Sequence, residues 1–202
     1  MAIRIKNQWF KADKPKSARE TASAMAFIVW RVTQNMVKQM REAKFDIDVG
    51  PAYFAFMREA LGFLCQVVDR MAFETLPAQE RAEFTPALVV RVAEILEESE
   101  QEWLGIPASG QDSWRNQFID LCNDLGDVYS EFGHGPEGPD FAFVRCFGSR
   151  LEEVLPLKDR HWVKDQVMAY EVPEALDMVK RGFQGVYSKE PRPKRRATQS
   201  GD

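Results

Sequence analysis

The chain has 202 residues, of which 45% are hydrophobic and 29% are charged. Its 27 Lys and Arg residues stand against 31 Asp and Glu residues, which gives a formal net charge of -4. This composition is that of an ordinary soluble protein, and it excludes collagen-like, disulfide-scaffold and wholly disordered chains. The length allows one domain, or two at most, with a sizeable hydrophobic core. No apolar run approaches the roughly 18 residues of a membrane-spanning helix, so we expect no membrane span.

The cysteines and the N-terminal sequence indicate the cellular compartment of the protein. Cys65, Cys122 and Cys146 lie far apart and form no CxxC pair, so neither a disulfide framework nor a zinc knuckle is expected. Cys65 and Cys122 fall in apolar helical stretches, where a reduced cysteine packs as a small hydrophobic side chain. No apolar signal core follows the basic start of the chain. We therefore expect a cytoplasmic protein.

Apolar residues recur at helical spacing in five segments, and the first two have clear start signals. Ser17 and Glu20 have the spacing of a capping box, in which each residue's side chain bonds the other's backbone N–H. A helix is therefore predicted to begin at Ser17. The second segment opens at Gly50-Pro51, where proline suits the first turn of a helix because its missing N–H would have no partner there.

The next three segments also begin at residues that favour helix starts. Pro77 predicts a short helix, and Thr85-Pro86, taken as an N-cap followed by proline, predicts that a longer helix begins there. A fourth helix is predicted from about Asp112 and a fifth from about Asp140. Shorter helical segments follow at about 162–168 and 173–182. Sequence patterns typical of β-strands are scarce.

These segments predict an all-α fold. We expect a single antiparallel helical bundle of about four to five long helices, with shorter C-terminal helices packed on it. The composition divides the chain into a basic N-terminal arm at 1–16, a helical bundle domain at 17–187 and a basic disordered tail at 188–202. The tail is polar, contains proline and lacks apolar anchors, which is typical of disorder.

The net charge conceals an uneven distribution of charge along the chain. Residues 1–16 carry +4, residues 17–187 carry -11 and residues 188–202 carry +3. The whole negative excess lies between Arg91 and Arg145, where 12 acidic residues stand against one base. The predicted third and fourth helices, together with the loops around them, are therefore strongly acidic.

One side of the predicted fourth helix carries much of this charge. Acidic residues recur there at helical spacing, at Asp120, Asp124, Asp127 and Glu131. They lie roughly 100° around the helix from its apolar side. Like charges at this spacing destabilise a helix by about 0.2–0.5 kcal/mol per pair. Either this side is an ordinary solvated surface, or a cation, a basic partner or the chain's own basic ends offset the repulsion.

The acidic helices also allow a catalytic hypothesis. Glu94-x-x-Glu97 on the third helix and Asp124-x-x-Asp127 on the fourth place two carboxylate pairs, each within one turn, on adjacent helices. This resembles the ExxE…ExxD pattern of the all-helical MazG-like and dimeric dUTPase-like nucleotide pyrophosphohydrolases, although the second pair here begins with Asp rather than Glu. The resemblance covers four residues, and it implies that they hold Mg²⁺ through carboxylate oxygens and hydrolyse a nucleotide.

Other catalytic motifs are incomplete in the sequence. Glu131-x-x-His134 supplies one half of the carboxylate–histidine set of a di-iron bundle, but Lys158 precedes the only other histidine, His161, at the matching position. The chain contains no Gly-rich phosphate loop, no GxSxG and no HExxH.

The sequence therefore favours binding over catalysis. We expect a non-catalytic interaction or regulatory protein, without a cofactor, whose acidic helix side binds a basic or cationic partner. A protein partner or self-association is expected, and the basic tail is able to make non-specific contact with nucleic acid through its charge. The Mg²⁺-dependent nucleotide pyrophosphohydrolase is the alternative.

Overall fold

The computed structural model describes residues 16–108 and 110–187, and most of these are helical. The α-helices are α1 (Ala18–Glu42), α2 (Pro51–Thr75), α3 (Ala78–Leu104), α4 (Trp114–Ser130), α5 (Phe141–Val154), α6 (Arg160–Gln166) and α7 (Val172–Tyr187). A π-helical turn, Val167–Glu171, joins α6 to α7. The short strands β1 (His134–Gly135) and β2 (Gly138–Pro139) pair antiparallel between α4 and α5. The all-α prediction is confirmed. Apart from residue 16, the predicted basic arm lies outside the described residues, as does the predicted disordered tail.

The helices begin largely where the sequence signals place them. At the start of α1, the Ser17 N–H donates to Glu20 Oε2 at 2.9 Å and the Glu20 N–H donates to Ser17 Oγ at 3.3 Å, which completes the predicted capping box. The side chains of Ser113 and Asp140 cap α4 and α5 in the same manner. Each side-chain oxygen accepts a hydrogen bond from a backbone N–H that has no partner within its helix.

The predicted helix start at Thr85-Pro86 is wrong, because α3 begins at Ala78 and continues through Pro86. Pro86 lacks the N–H that would bond the carbonyl of Ala82, but both residues are exposed, so water can bond that carbonyl. Phe84 is fully buried against the rings of α7 and holds the helix in place next to the proline. Thr85 does not cap a helix, and its hydroxyl donates to Asp69 on α2.

Helix α2 lies at the centre of the bundle and contacts α1, α3, α4, α5 and α7. Aromatic rings from three helices meet there, since Phe63 of α2 stacks on Phe147 of α5 at 4.3 Å and meets Tyr129 of α4 edge-on at 6.2 Å. A Cβ on Gly62 would lie 2.5 Å from Leu125 Cδ1, so α2 and α4 approach closely because this position has no side chain. No helix in the described ranges is both long and apolar enough to cross a membrane.

Candidate functional site

The acidic face of the bundle consists of Asp120, Asp124, Asp127 and Glu131. All four residues are exposed, while the opposite side of α4 buries its apolar residues against α2 and α3. Although α4 ends at Ser130, Glu131 keeps α-helical backbone angles of φ -74° and ψ -12°. Glu131 therefore continues the helical spacing of the other three carboxylates and lies on the same side as they do.

None of these four side chains forms a hydrogen bond or an ion pair with another residue in the part of the chain that the structure describes. Each neighbouring pair of these acids lies three or four residues apart, so three pairs of like charges face each other within about one turn, which is unfavourable. The acids also approach the C-terminal end of α4, where the helix dipole already places partial negative charge. The acidic face is thus a concentration of negative charge that no described side chain neutralises.

Glu94 and Glu97, the two α3 acids of the predicted metal site, have partners instead. Arg91 donates to Glu94 at 2.7 Å, and Glu97 accepts the backbone N–H of Arg115 at 3.3 Å. Within the described ranges, no group of three or more His, Cys, Asp or Glu side chains is close enough to hold a metal ion. Glu94, Glu97, Asp124 and Asp127 therefore form no shared set of metal ligands, and this geometry gives the nucleotide-hydrolysis hypothesis no support.

A buried ion pair that the sequence analysis missed joins α2 to α3. Arg58 Nε donates to Glu100 Oε1 at 2.7 Å, and the Glu100 side chain is entirely buried. The Arg58 guanidinium also lies 4.9 Å from the centre of the Trp114 ring on α4, in cation–π geometry. Burial raises the pKa of Glu100, although the hydrogen bond from Arg58 opposes this effect. This pair fixes the relative positions of three helices.

A second ion pair that the sequence analysis missed joins α2 to α5. Arg150 donates two hydrogen bonds to Glu59, at 2.6 and 2.8 Å, and the Glu59 side chain is only 10% exposed. A signal for it exists in the sequence, because Glu59 lies within the most apolar of the predicted helices. A charged residue in such a helix requires a partner when it is buried. The buried Glu59 and Glu100 thus each have an arginine partner, whereas the four acids of the acidic face have none among the described residues.

Within the described residues, the histidines and cysteines complete neither a metal-ligand group nor a disulfide. His134 lies on β1 beyond α4, and its Nδ1 is 3.0 Å from Glu74 Oε1 on α2, so it does not pair with Glu131. Cys65 and Cys122 are buried, as the sequence predicted, and neither is in a disulfide. A hydrogen bond with Cys122 and burial both raise the pKa of the Cys65 thiol well above its usual value, which disfavours the reactive thiolate.

Comparison of the chain with protein-family models, with curated proteins and with solved structures gives no match. The residues of this chain, and above all its acidic face, are therefore the basis for a functional conclusion.

Proposed function

We propose that this protein is a non-catalytic interaction or regulatory module that uses the acidic face of α4 to bind a basic partner. One observation carries the proposal. Four exposed carboxylates share one side of a helix, and none has a partner among the described residues. A surface of this kind attracts positive charge and speeds the encounter with a basic partner.

The contrast with the other acids of the bundle supports this proposal. Glu59 and Glu100, which are buried, each contact an arginine. The four acids of α4 lack such partners, and their mutual repulsion destabilises the helix that carries them. A basic partner would relieve that repulsion on binding, and the relief would contribute to affinity.

The proposal is tested with a fluorescent lysine-rich peptide titrated into the full-length chain, with binding followed by anisotropy at low and high salt. We expect binding at low salt that weakens as the ionic strength rises, because exposed charges are screened over about 10 Å at 0.1 M. Replacing Asp120, Asp124 and Asp127 with asparagine is expected to raise the dissociation constant about tenfold, since each exposed ion pair contributes modestly.

A matched control removes three acidic charges elsewhere. Glu83, Glu137 and Glu153 are exposed and lie outside the acidic face, so their joint replacement by glutamine changes the net charge equally. This control should bind the peptide nearly as well as the wild type. Absence of salt-sensitive binding, or an equal loss in the control and in the α4 variant, would refute the proposal.

A further inference from the structure

A groove with a volume of about 500 Å³ lies beside the C-terminal end of α1. Lys38, Arg41 and Lys44 supply three positive charges to its lining, while Val37 and Tyr53 supply apolar surface. Among the described residues, Glu42 is the one acidic residue of the lining. We call this surface the cationic groove. Counting charges along the chain does not reveal this groove, because the acidic and basic residues of this segment nearly cancel.

Two contacts hold Arg41 at the edge of the groove. Its Nε donates to the backbone carbonyl of Ile47 at 2.6 Å, and its guanidinium lies 5.4 Å from the centre of the Tyr53 ring. Ile47 is fully buried, so this anchor belongs to the packed part of the bundle. The terminal nitrogens of Arg41 form no hydrogen bond with any described residue, and they remain available to an anionic group.

Lys44 occupies a backbone position that favours glycine. Its φ is +73°, and its N–H donates to the carbonyl of Arg41 at 3.0 Å as the chain leaves α1. A left-handed conformation is unfavourable for a side chain such as lysine. This left-handed turn ends α1 and places Lys44 in the lining of the groove.

The cations of the groove are largely unneutralised within one copy of the chain. Lys38 reaches Glu42 only at 3.7 Å, in a pair whose two side chains are mostly exposed, and such pairs contribute little. The side chain of Lys44 has no ion-pair partner in the described ranges. No member of the acidic face pairs with Lys38, Arg41 or Lys44 inside the described chain.

The shape of the groove favours a macromolecular occupant, because it is open along α1 and would not enclose a small molecule. From Lys38 to the end of α1 at Glu42 the groove covers about 6 Å of helix length, and Lys44 lies two residues beyond. The acidic face spans about 16 Å of α4, so it is long enough to cover the groove. The exposed carboxylates of the acidic face are opposite in charge to the cations of the groove. Every copy of the chain carries both surfaces.

We propose that the cationic groove of one copy receives the acidic face of a second copy. The inference rests on the proposed function and identifies the basic partner as another molecule of the same chain. The two surfaces differ, so the contact is heterologous, and such contacts build rings or open filaments. Association should therefore extend with concentration and weaken with salt.

Sedimentation velocity of the full-length chain at several concentrations, at low and high salt, measures this association. One variant carries Lys38→Glu and Lys44→Glu, and a second carries Asp120→Lys and Asp124→Lys. All four residues are exposed, so folding should be retained, and circular dichroism checks it. Each variant alone should associate at least about tenfold more weakly than the wild type, because like charges then face each other.

An equimolar mixture of the two variants provides a sharper test, since each then offers one surface complementary to the other. We expect the mixture to associate more strongly than either variant alone, through the unaltered acidic face of one variant and the unaltered groove of the other. A single chain with all four substitutions exchanges the charges at the two pairs of positions, so contacts between those positions again join opposite charges and the chain should also self-associate. The matched control for the Lys38 and Lys44 variant is Arg19→Glu with Arg145→Glu, which lowers the net charge by the same amount at exposed sites away from the groove and should leave association unchanged.

The outcomes separate this inference from the proposed function. A wild-type chain that stays monomeric at low salt, a mixture that stays dissociated, or a control that weakens association equally would each overturn the inference. If a monomeric chain still binds the lysine-rich peptide through its acidic face, the proposed function stands with another partner. If the chain neither associates nor binds the peptide, both are refuted.

Discussion

Replacing Asp124 with asparagine is expected to stabilise the folded chain. Asp124 has Asp120 four residues before it and Asp127 three residues after it, so the substitution removes two like-charge pairs. Each such pair costs about 0.2–0.5 kcal/mol, which predicts a gain of about 0.4–1 kcal/mol in the free energy of unfolding. Asparagine and aspartate have nearly equal helix propensities, and the exposed side chain buries no contact that would be lost.

Urea unfolding followed by circular dichroism measures this gain as a higher midpoint with an unchanged slope. The gain should shrink at high salt, because screening weakens the repulsion in the wild type. Glu137→Gln removes one negative charge from an exposed loop and serves as the control. An Asp124 variant that is no more stable than the wild type, or that gains only as much as the control, would refute the reasoning.

Three further predictions concern the contacts that organise the bundle. Burial raises the pKa of Glu100 in the folded chain above its value of about 4.3 in the unfolded chain. The folded chain is therefore most stable with respect to this group below that value, and it loses this stability as the pH rises through the pKa of Glu100 in the folded state. Glu100→Gln stays neutral, so in urea titrations it should gain stability relative to the wild type as the pH rises above about 4.3, whereas a difference that does not change with pH would contradict this prediction. Asp140→Ala should cost ~1 kcal/mol in thermal unfolding, because it removes the N-cap of α5, and an unchanged melting temperature would count against that role. Arg150→Ala should cost about 2–4 kcal/mol in urea unfolding because it leaves Glu59 buried without its partner, and a loss smaller than that of an exposed pair would show that Glu59 reaches water.

Local sequence signals predicted the fold well where the deciding contacts are close along the chain. The capping box of Ser17 and Glu20 lies within one turn, and so does the cap of α5, so spacing alone indicates both. Pro86 misled the prediction because its effect depends on distant residues. Phe84 packs on rings of α7 nearly a hundred residues later, and no local pattern reports that contact.

The candidate sites were predictable to different degrees for the same reason. The acidic face lies on one helix and follows directly from its periodicity. The cationic groove includes Tyr53 from α2 and depends on the left-handed turn at Lys44, neither of which periodicity reveals. The partner of Glu100 is likewise 42 residues away in the chain, although a buried acid should always prompt a search for one.

The central position of α2 has a consequence for the native-state dynamics. Its backbone amides are enclosed by five other helices, so they become accessible to solvent only when several packed interfaces separate together. We therefore expect the amide hydrogens of α2 to exchange with deuterium through global unfolding, at rates set by the full stability of the bundle. The seven-residue α6 packs chiefly on α5 and the adjoining π-helical turn, so its amides should exchange through smaller, independent openings.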